Sequence, residues 1–274
     1  MTSIQTRPAS RQYFPDTPTG EGEGRQWLMR AANFFVAYAE ADAGTVLERD
    51  NADEYFVYLS QGAAAVTAGD KTLAIETGSV CILPPGKSRI VLTQASKLLR
   101  VFSRAASDLE PLAVNAEIYA DGAPEVTPFA PWLEPFGGYG LKHYRIADYA
   151  DRKMRMFRSA NLMINIFDFD GPRDVDALSP HFHDDFEQGS FAMTGEWVHS
   201  LRYPWSKKLS DWREDEHLHI GSPSLLVIPA TVIHTSRSVG EGINQLVDIF
   251  SPPRRDFCDM GLVCNADDYP LPGE

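Results

Sequence analysis

The sequence predicts an all-β protein. From Trp27 onward, about 80 residues hold seven short apolar segments that Gly, Pro and Asp separate. Short segments with turns between them are typical of an antiparallel sandwich or barrel. The later stretch MFRSANLMINIFDFD alternates its side chains with the period of a strand. Helical periodicity is scarce, and 274 residues allow one large domain or two of about 100 to 150 residues.

Five segments follow one another along the chain. Residues 1–26 are rich in Pro, Gly, Ser and Thr, which predicts an extended arm of the kind that often lies across a partner subunit. We therefore expect a homodimer. Residues 27–105 form a first β-rich half, 106–139 a linker with many prolines and glycines, 140–252 a second β-rich half, and 253–274 an irregular tail.

Composition narrows the classes of partner. The formal charge of −13 gives no electrostatic support for binding a phosphate backbone, so we expect no nucleic acid. The apolar runs are far shorter than the roughly 20 residues of a membrane span, so we expect no membrane. Three cysteines without CxxC spacing, and an N-terminus unlike a signal peptide, favour a reducing cytoplasm. A small molecule remains as the expected partner.

Potential metal ligands are concentrated in HFHDDFEQGSFAMTG, residues 181–195. In a strand, alternate side chains share one face, so His181 and His183 could bind one cation, with Gln188 or Glu187 as a further donor. A fourth donor should come from elsewhere. The candidate is His234 in PSLLVIPATVIH.

These spacings resemble the two motifs of the cupin superfamily. The pattern HxH, Gln188 and Gly195 resembles the first motif, and Pro229 followed by a histidine resembles the second. Two positions differ, because the acidic ligand of the pattern is Gln188, with Glu187 one position early, and the glycine after Pro229 is Thr231. The resemblance implies jelly-roll barrels. It also implies one divalent transition metal (Fe, Mn, Ni, Co or Zn) on His181, His183, Gln188 and His234.

The same frame fits the first half, which predicts two jelly-roll cupin barrels in one chain, the first degenerate. Counting back from Gly62 as from Gly195, the positions equivalent to the ligands hold Glu48, Asp50, Tyr55 and Arg89. The two acids facing Arg89 would form an ion pair in place of the cation, since a buried charge needs a partner. Alternatively, all three side chains are solvated.

The second half carries a longer hairpin. From Gly62 to Pro84 there are 22 positions and from Gly195 to Pro229 there are 34, a difference of 12. Added loops on a barrel rim often carry function. We expect residues 197–220 to close over the metal with aromatic walls; a subunit contact is the alternative.

The implied function is a metal-dependent enzyme acting on a small oxygenated substrate, such as a sugar, sugar acid or keto/enediol compound, by Lewis-acid isomerisation or lyase chemistry. Two alternatives remain open: an Fe(II) dioxygenase that cleaves a catechol-like or diketone substrate, and a non-catalytic binding protein. An enzyme needs an acid or base near the metal. The candidates are Glu187, His199 and His219.

Overall fold

The computed structural model describes residues 6–14 and 25–271, which form nineteen strands and one short α-helix. The first ten strands are β1 Ser10–Tyr13, β2 Arg25–Arg30, β3 Phe34–Ala41, β4 Val46–Asn51, β5 Tyr55–Gln61, β6 Ala63–Ala68, β7 Lys71–Glu76, β8 Ser79–Leu83, β9 Gly86–Leu92 and β10 Ser96–Ser103. The others are β11 Lys142–Arg145, β12 Arg155–Arg158, β13 Met163–Asp170, β14 Gln188–Thr194, β15 Glu196–Arg202, β16 Glu216–Gly221, β17 Ser224–Ile228, β18 Ile233–Ser238 and β19 Ile243–Phe250. The helix α1 is Arg255–Asp259, and 3-10 turns are Ser107–Leu112, Ala116–Tyr119, Ile146–Tyr149, Leu209–Asp211 and Ala266–Asp268.

The prediction of an all-β protein is confirmed, and the strands fall into two compact units. Of the described residues, unit I contains 25–116, 129–164 and 251–271, and unit II contains 6–14, 117–128 and 165–250. The predicted domain limits and the closure of each half into a barrel stay predictions.

Both units repeat one strand order. In unit I, one sheet runs β11-β8-β5-β10-β3-β2 and the other β4-β9-β6-β7. In unit II, one sheet runs β1-β17-β14-β19-β13 and the other β16-β15-β18. The order β8-β5-β10-β3 thus matches β17-β14-β19-β13. The strand pairs β1–β17, β3–β10, β5–β10, β14–β17 and β14–β19 are antiparallel.

The turn glycines confirm this equivalence. Gly62 has φ 98° and Gly195 has φ 87°, a region that favours glycine. A Cβ on Gly62 would lie 2.2 Å from Ser96 Oγ, and one on Gly195 would lie 2.0 Å from Asn244 Oδ1. Both glycines therefore stand where no larger residue fits, at the start of equivalent hairpins.

The described part of the predicted arm is bound to its own chain. Residues 1–5 and 15–24 lie outside the described residues. In between, β1 pairs with β17, from Ser10 beside Val227 to Tyr13 beside Ser224. These residues therefore extend a sheet of unit II. The predicted irregular tail contains α1, a single short helix. Within the described chain, no helix is long and apolar enough to cross a membrane.

Of the two alternatives for Glu48, Asp50 and Arg89, the buried ion pair is wrong and the solvated side chains are confirmed. Glu48 and Arg89 do pair at 3.3 Å, but their side chains are 71% and 51% exposed. Asp50 is exposed as well. The inward residues of these strands are instead Arg49, whose side chain is 13% exposed, and Ser88. Alternate side chains of a strand point to opposite faces, so the inward position of Arg49 turns Glu48 and Asp50 outward.

Candidate metal centre

Three imidazoles meet in unit II. His181 and His234 form an antiparallel bridge, in which the N–H of His181 donates to the His234 carbonyl at 3.0 Å and the reverse bond measures 2.8 Å. The His183 ring centroid lies 5.1 Å from that of His181 and 5.3 Å from that of His234. One ligand atom from each residue lies within 4.8 Å of the other two. The three side chains could hold a metal ion.

The backbone around the histidines differs from the predicted strand. Only His181 takes part in a bridge, and the segment to His183 is otherwise irregular. The His183 carbonyl accepts a hydrogen bond from Thr231 N–H at 2.6 Å. Thr231 has φ 69°, a left-handed conformation that strains a β-branched residue. Thr231 thus adopts the backbone conformation for which the motif uses glycine, as Gly86 does at φ 100° in unit I.

Hydrogen bonds fix which nitrogen of two histidines faces the centre. Nδ1 of His181 lies 2.9 Å from the Ser179 carbonyl, and Nδ1 of His234 lies 2.9 Å from the Val232 carbonyl. Since a carbonyl only accepts, both Nδ1 atoms carry a proton, so Nε2 is the nitrogen that has a lone pair when the ring is neutral. Burial lowers the pKa of His234 to about 3, so its imidazole is neutral. A neutral imidazole is the form that binds a metal.

Gln188 completes the cluster with an amide oxygen. Its Oε1 lies 2.9 Å from His183 Nε2 and 3.4 Å from His234 Nε2. Two ligand atoms about 2.1 Å from one ion at a right angle would be about 3.0 Å apart. The lone pairs of Gln188 Oε1 and His234 Nε2 therefore face each other across a gap that suits a cation.

Two residues missed by the sequence analysis hold this amide in place. Gln188 Nε2 donates to Ser190 Oγ at 2.9 Å and to Asp248 Oδ1 at 3.1 Å, and Ser190 Oγ donates to the same Oδ1 at 2.8 Å. A carboxylate accepts only, so Nε2 must face Asp248 and Oε1 must face the histidines. Two features of the sequence could have pointed to these residues. Asp248 is an acid inside the apolar run LVDIF, and Ser190 lies two positions after Gln188.

We expect Asp248→Ala to weaken metal binding by about 10- to 100-fold, because outer partners of ligands typically contribute that much. Asp248→Asn keeps an acceptor without the charge and should fall between wild type and alanine. Chelator competition gives the dissociation constants. Ser190→Ala removes one bond to the amide but leaves the bond from Gln188 to Asp248, so it should weaken metal binding less than Asp248→Ala. Equal affinity in Asp248→Ala and wild type would contradict the role of Asp248.

Glu187 has partners other than the histidines. Its Oε1 accepts hydrogen bonds from Arg7 Nη2 at 2.8 Å and from the Tyr119 hydroxyl at 3.0 Å. Arg7 also binds Glu125 at 2.7 Å and lies 4.3 Å above the Tyr119 ring. Gln188 rather than Glu187 is therefore the residue beside the histidines. The carboxylate of Glu187 belongs to a buried ion cluster.

The other two acid–base candidates lie on opposite faces of one hairpin. His199 is 1% exposed, and its Nδ1 lies 2.7 Å from Ser236 Oγ, which pairs it with the strand that carries His234. Burial lowers the pKa of His199 to about 4. His219 is exposed and pairs with Val198, one position along, so its side chain points to the other face. The structure brings His199, but not His219, to the histidine side.

The aromatic residues of the long hairpin fall into two groups. Trp197 is 1% exposed and Tyr203 is 4% exposed, so both belong to the core. Trp205 and Trp212 stack on each other with centroids 4.1 Å apart, and they are 74% and 40% exposed. The tip of the hairpin thus presents aromatic surface. Its predicted role as a lid stays a prediction.

Comparison with known proteins supports the fold. No protein-family model matches the chain, and no curated protein matches it in sequence. A structure of Bacillus subtilis oxalate decarboxylase, studied for its Mn(II) centres, has a TM-score of 0.59 at 12% identity over 93% of this chain and 79% of that one. Lactobacillus farciminis oxalate decarboxylase in complex with formate gives 0.58 at 15% identity over 89% and 86%. A cupin 2 conserved barrel domain protein from Leptotrichia buccalis gives 0.52 at 10% identity over 88% and 96%.

Identities of 10 to 15% establish shared architecture rather than shared activity. The similarity covers both units, and it agrees with the motif spacing around His181 and His234. The chain therefore shares the fold of these solved structures, one of which is a cupin barrel protein.

Proposed function

We propose that this protein is a metal-dependent cupin enzyme that binds one divalent transition metal on His181, His183, Gln188 and His234. The observation that carries the proposal is the set of three imidazoles and one amide oxygen, with Gln188 Oε1 at 2.9 and 3.4 Å from two of the ring nitrogens. Unit I would be a second, degenerate barrel without metal ligands. The protein would then be a two-barrel cupin.

The donor set suits Fe(II), Mn(II), Ni(II), Co(II) or Zn(II), and affinity order alone does not choose among them. When bound, such an ion would act as a Lewis acid that polarises a carbonyl or enediol of the substrate. Gln188 adds no negative charge, although the Asp248 carboxylate lies one hydrogen bond behind it. The carboxylate polarises the amide, so Oε1 becomes a stronger electron-pair donor to the ion. It also lowers the Lewis acidity that the ion would have with neutral ligands alone.

The substrate would be a small oxygenated compound, such as a sugar, a sugar acid or a keto/enediol compound. Around the site, Phe186 stacks on His183 with centroids 4.4 Å apart, and Phe250 lies 5.8 Å from the same ring. These rings hold the imidazole in place and exclude water from one side of the site. Lewis-acid isomerisation or lyase chemistry is the proposed reaction.

The positions of the base candidates favour a second reaction class. Isomerisation moves a proton, and a base is most effective with a pKa near the working pH. Glu187 is held by Arg7, His219 points away, and burial lowers the pKa of His199 to about 4. An Fe(II) dioxygenase acting on a catechol-like or diketone substrate depends less on such a base. A non-catalytic binding protein would use the same ligands without turnover.

Metal analysis of protein purified without a histidine tag, followed by reconstitution with single metals, tests the proposal. We expect about one ion per chain. Substrate-dependent O2 uptake with Fe(II) alone would assign the dioxygenase, whereas isomerised or cleaved product without O2 uptake would assign the Lewis-acid reaction. A metal-loaded protein that turns over no sugar, keto acid or catechol would favour the binding protein. No bound metal under any of these conditions would refute the site.

A further inference from the structure

Unit I contains a cavity of about 670 Å³ whose walls are mostly apolar. It is lined by Trp27, Leu28, Ala37, Phe102, Leu109 and Leu112, together with Gln26, Glu48, Arg49 and Arg100. Its volume is within the usual range of about 300 to 1,000 Å³ for small-molecule sites. Leu112 is 61% exposed and Glu48 71%, which places them at the mouth. The two arginines are the groups that distinguish it from an ordinary gap in a core.

Arg100 is a buried cation without a carboxylate partner among the described residues. It is 8% exposed, and its strand neighbours across the sheet are Ala37 and Val57. Its Nη2 donates to Gln26 Oε1 at 2.9 Å, whereas its Nε has no hydrogen-bond partner within the described chain. Burial lowers its pKa, yet arginine stays charged in proteins. A buried charge left in this state is costly unless something compensates it.

The second arginine already has a counter-ion. Arg49 forms a two-pronged ion pair with Asp108 at 2.6 and 2.7 Å, and its Nε donates to Asn51 Oδ1 at 3.0 Å. Asp108 therefore neutralises Arg49, which leaves the charge of Arg100 in excess. The two guanidinium carbons lie 5.3 and 5.7 Å from the centre of the Phe102 ring. Such cation–π contacts offset only part of the cost of burying a guanidinium.

The repeat explains how this site differs from the metal site. In unit II, Asp248 is paired with Ser190 and holds Gln188 by a hydrogen bond. The position of Asp248 in LVDIFS corresponds to Arg100 in LLRVFS, and Val57 stands where Ser190 stands. Unit I therefore carries a positive charge where unit II carries a negative one. The direct cross-strand neighbours of Arg100, Ala37 and Val57, are both apolar.

We propose that unit I binds a small organic carboxylate, with Arg100 pairing with the carboxylate and Phe102 and the leucine walls enclosing its apolar body. A guanidinium matches a carboxylate with two parallel hydrogen bonds. The bound anion would supply the missing counter-charge. Apolar walls favour a carboxylate with a hydrocarbon body over inorganic phosphate. This inference does not depend on the metal site or on the proposed reaction.

Titration calorimetry with benzoate and hexanoate tests the inference, with benzyl alcohol as the neutral probe and inorganic phosphate as the alternative anion. We expect the full-length wild type to bind at least one carboxylate. Arg100→Met should weaken that binding at least about tenfold, because charge-assisted bonds are lost. Leu112→Trp should weaken it too, by narrowing the mouth while Arg100 stays in place. His183→Ala should bind as wild type does.

A second measurement distinguishes loss of the binding site from loss of the fold in Arg100→Met. Without ligand, Arg100→Met should unfold at a higher urea concentration than wild type, since an uncompensated buried charge is replaced by an apolar chain. Its metal content should equal that of wild type. The inference is overturned if neither carboxylate binds wild type, if benzyl alcohol binds as tightly as benzoate, or if phosphate binds and the carboxylates do not. Carboxylate binding by Arg100→Met that equals wild type would overturn it as well.

Discussion

Replacing His183 by alanine is expected to remove the metal ion, with the metal content falling below about a tenth of the wild-type value. The imidazole is one of the four proposed donors, and it also contacts the amide, since Nε2 lies 2.9 Å from Gln188 Oε1. Its loss leaves His181 and His234 on one backbone bridge with a single amide oxygen. Metal analysis of tag-free protein measures the effect, and circular dichroism checks the fold.

The chain offers matched controls for that experiment. His217 and His219 also form an HxH pair, on the exposed face of β16. His217→Ala with His219→Ala should leave the metal content unchanged, and so should Arg89→Ala in unit I. Metal retained in His183→Ala, or lost in the double variant, would contradict the assignment. Either outcome would move the site away from the cluster around His234.

Replacing Glu54 by glutamine is expected to stabilise the protein at pH 8 but not at pH 5. Glu54 is fully buried in unit I, where its Oε1 accepts from the Tyr269 hydroxyl at 3.0 Å and its Oε2 from Ala160 N–H at 2.9 Å. Burial raises the pKa of this carboxyl from 4.5 to about 7, despite these two bonds, which lower it. Glu187 at the equivalent position has Arg7 as a counter-ion.

The sign of the pH dependence follows from the raised pKa of Glu54. Below about pH 4.5 the carboxyl is protonated in both the folded and the unfolded chain. Between about pH 4.5 and 7 the folded chain keeps the proton that the unfolded chain has lost, so stability falls as the pH rises through this window. Above about pH 7 the stabilisation from the protonated Glu54 is fully lost. The free energy of unfolding falls by about 3 kcal/mol in total, at about 1.4 kcal/mol per pKa unit.

Glutamine imitates the protonated acid, since its amide oxygen can accept from Ala160 N–H and its amide nitrogen can donate to the Tyr269 hydroxyl. Urea unfolding at pH 5 and pH 8 should therefore give nearly equal stabilities for the variant and wild type at pH 5. At pH 8 the variant should be more stable by about 3 kcal/mol. Glu76→Gln, at an exposed strand end, is the control and should follow wild type. An identical pH response in Glu54→Gln would contradict the buried titration.

Much of the fold was predictable because strands and turns leave local patterns. Turn glycines at positive φ, such as Gly62 and Gly195, fixed the ends of the hairpins, and short apolar runs fixed the strands between them. The ligand candidates were predictable for a related reason. The motif places His181, His183 and Gln188 close together along the chain, so spacing alone suggested that they share a site.

The partners of these residues were not predictable from spacing. Asp248 lies 60 residues after Gln188 along the chain, and Arg7 lies 180 residues before Glu187. Such pairs depend on which strands become neighbours, a property of the sheet order rather than of any local pattern. Arg49 shows a similar limit within one strand. Spacing predicted that Glu48 and Asp50 face inward, but in the structure Arg49, between them, is the buried side chain.

By itself, the sequence determined that this chain is a β protein with two similar halves and that one half holds clustered metal-ligand candidates, because these features reside in local periodicity and spacing. Only the tertiary structure decided that Glu187 is neutralised by Arg7, that Asp248 orients Gln188, and that Arg100 is buried among apolar strands without a carboxylate partner in the described chain. Each of these depends on a charge meeting, or failing to meet, a group far away along the chain. The cost of burying charge is set by that three-dimensional neighbourhood.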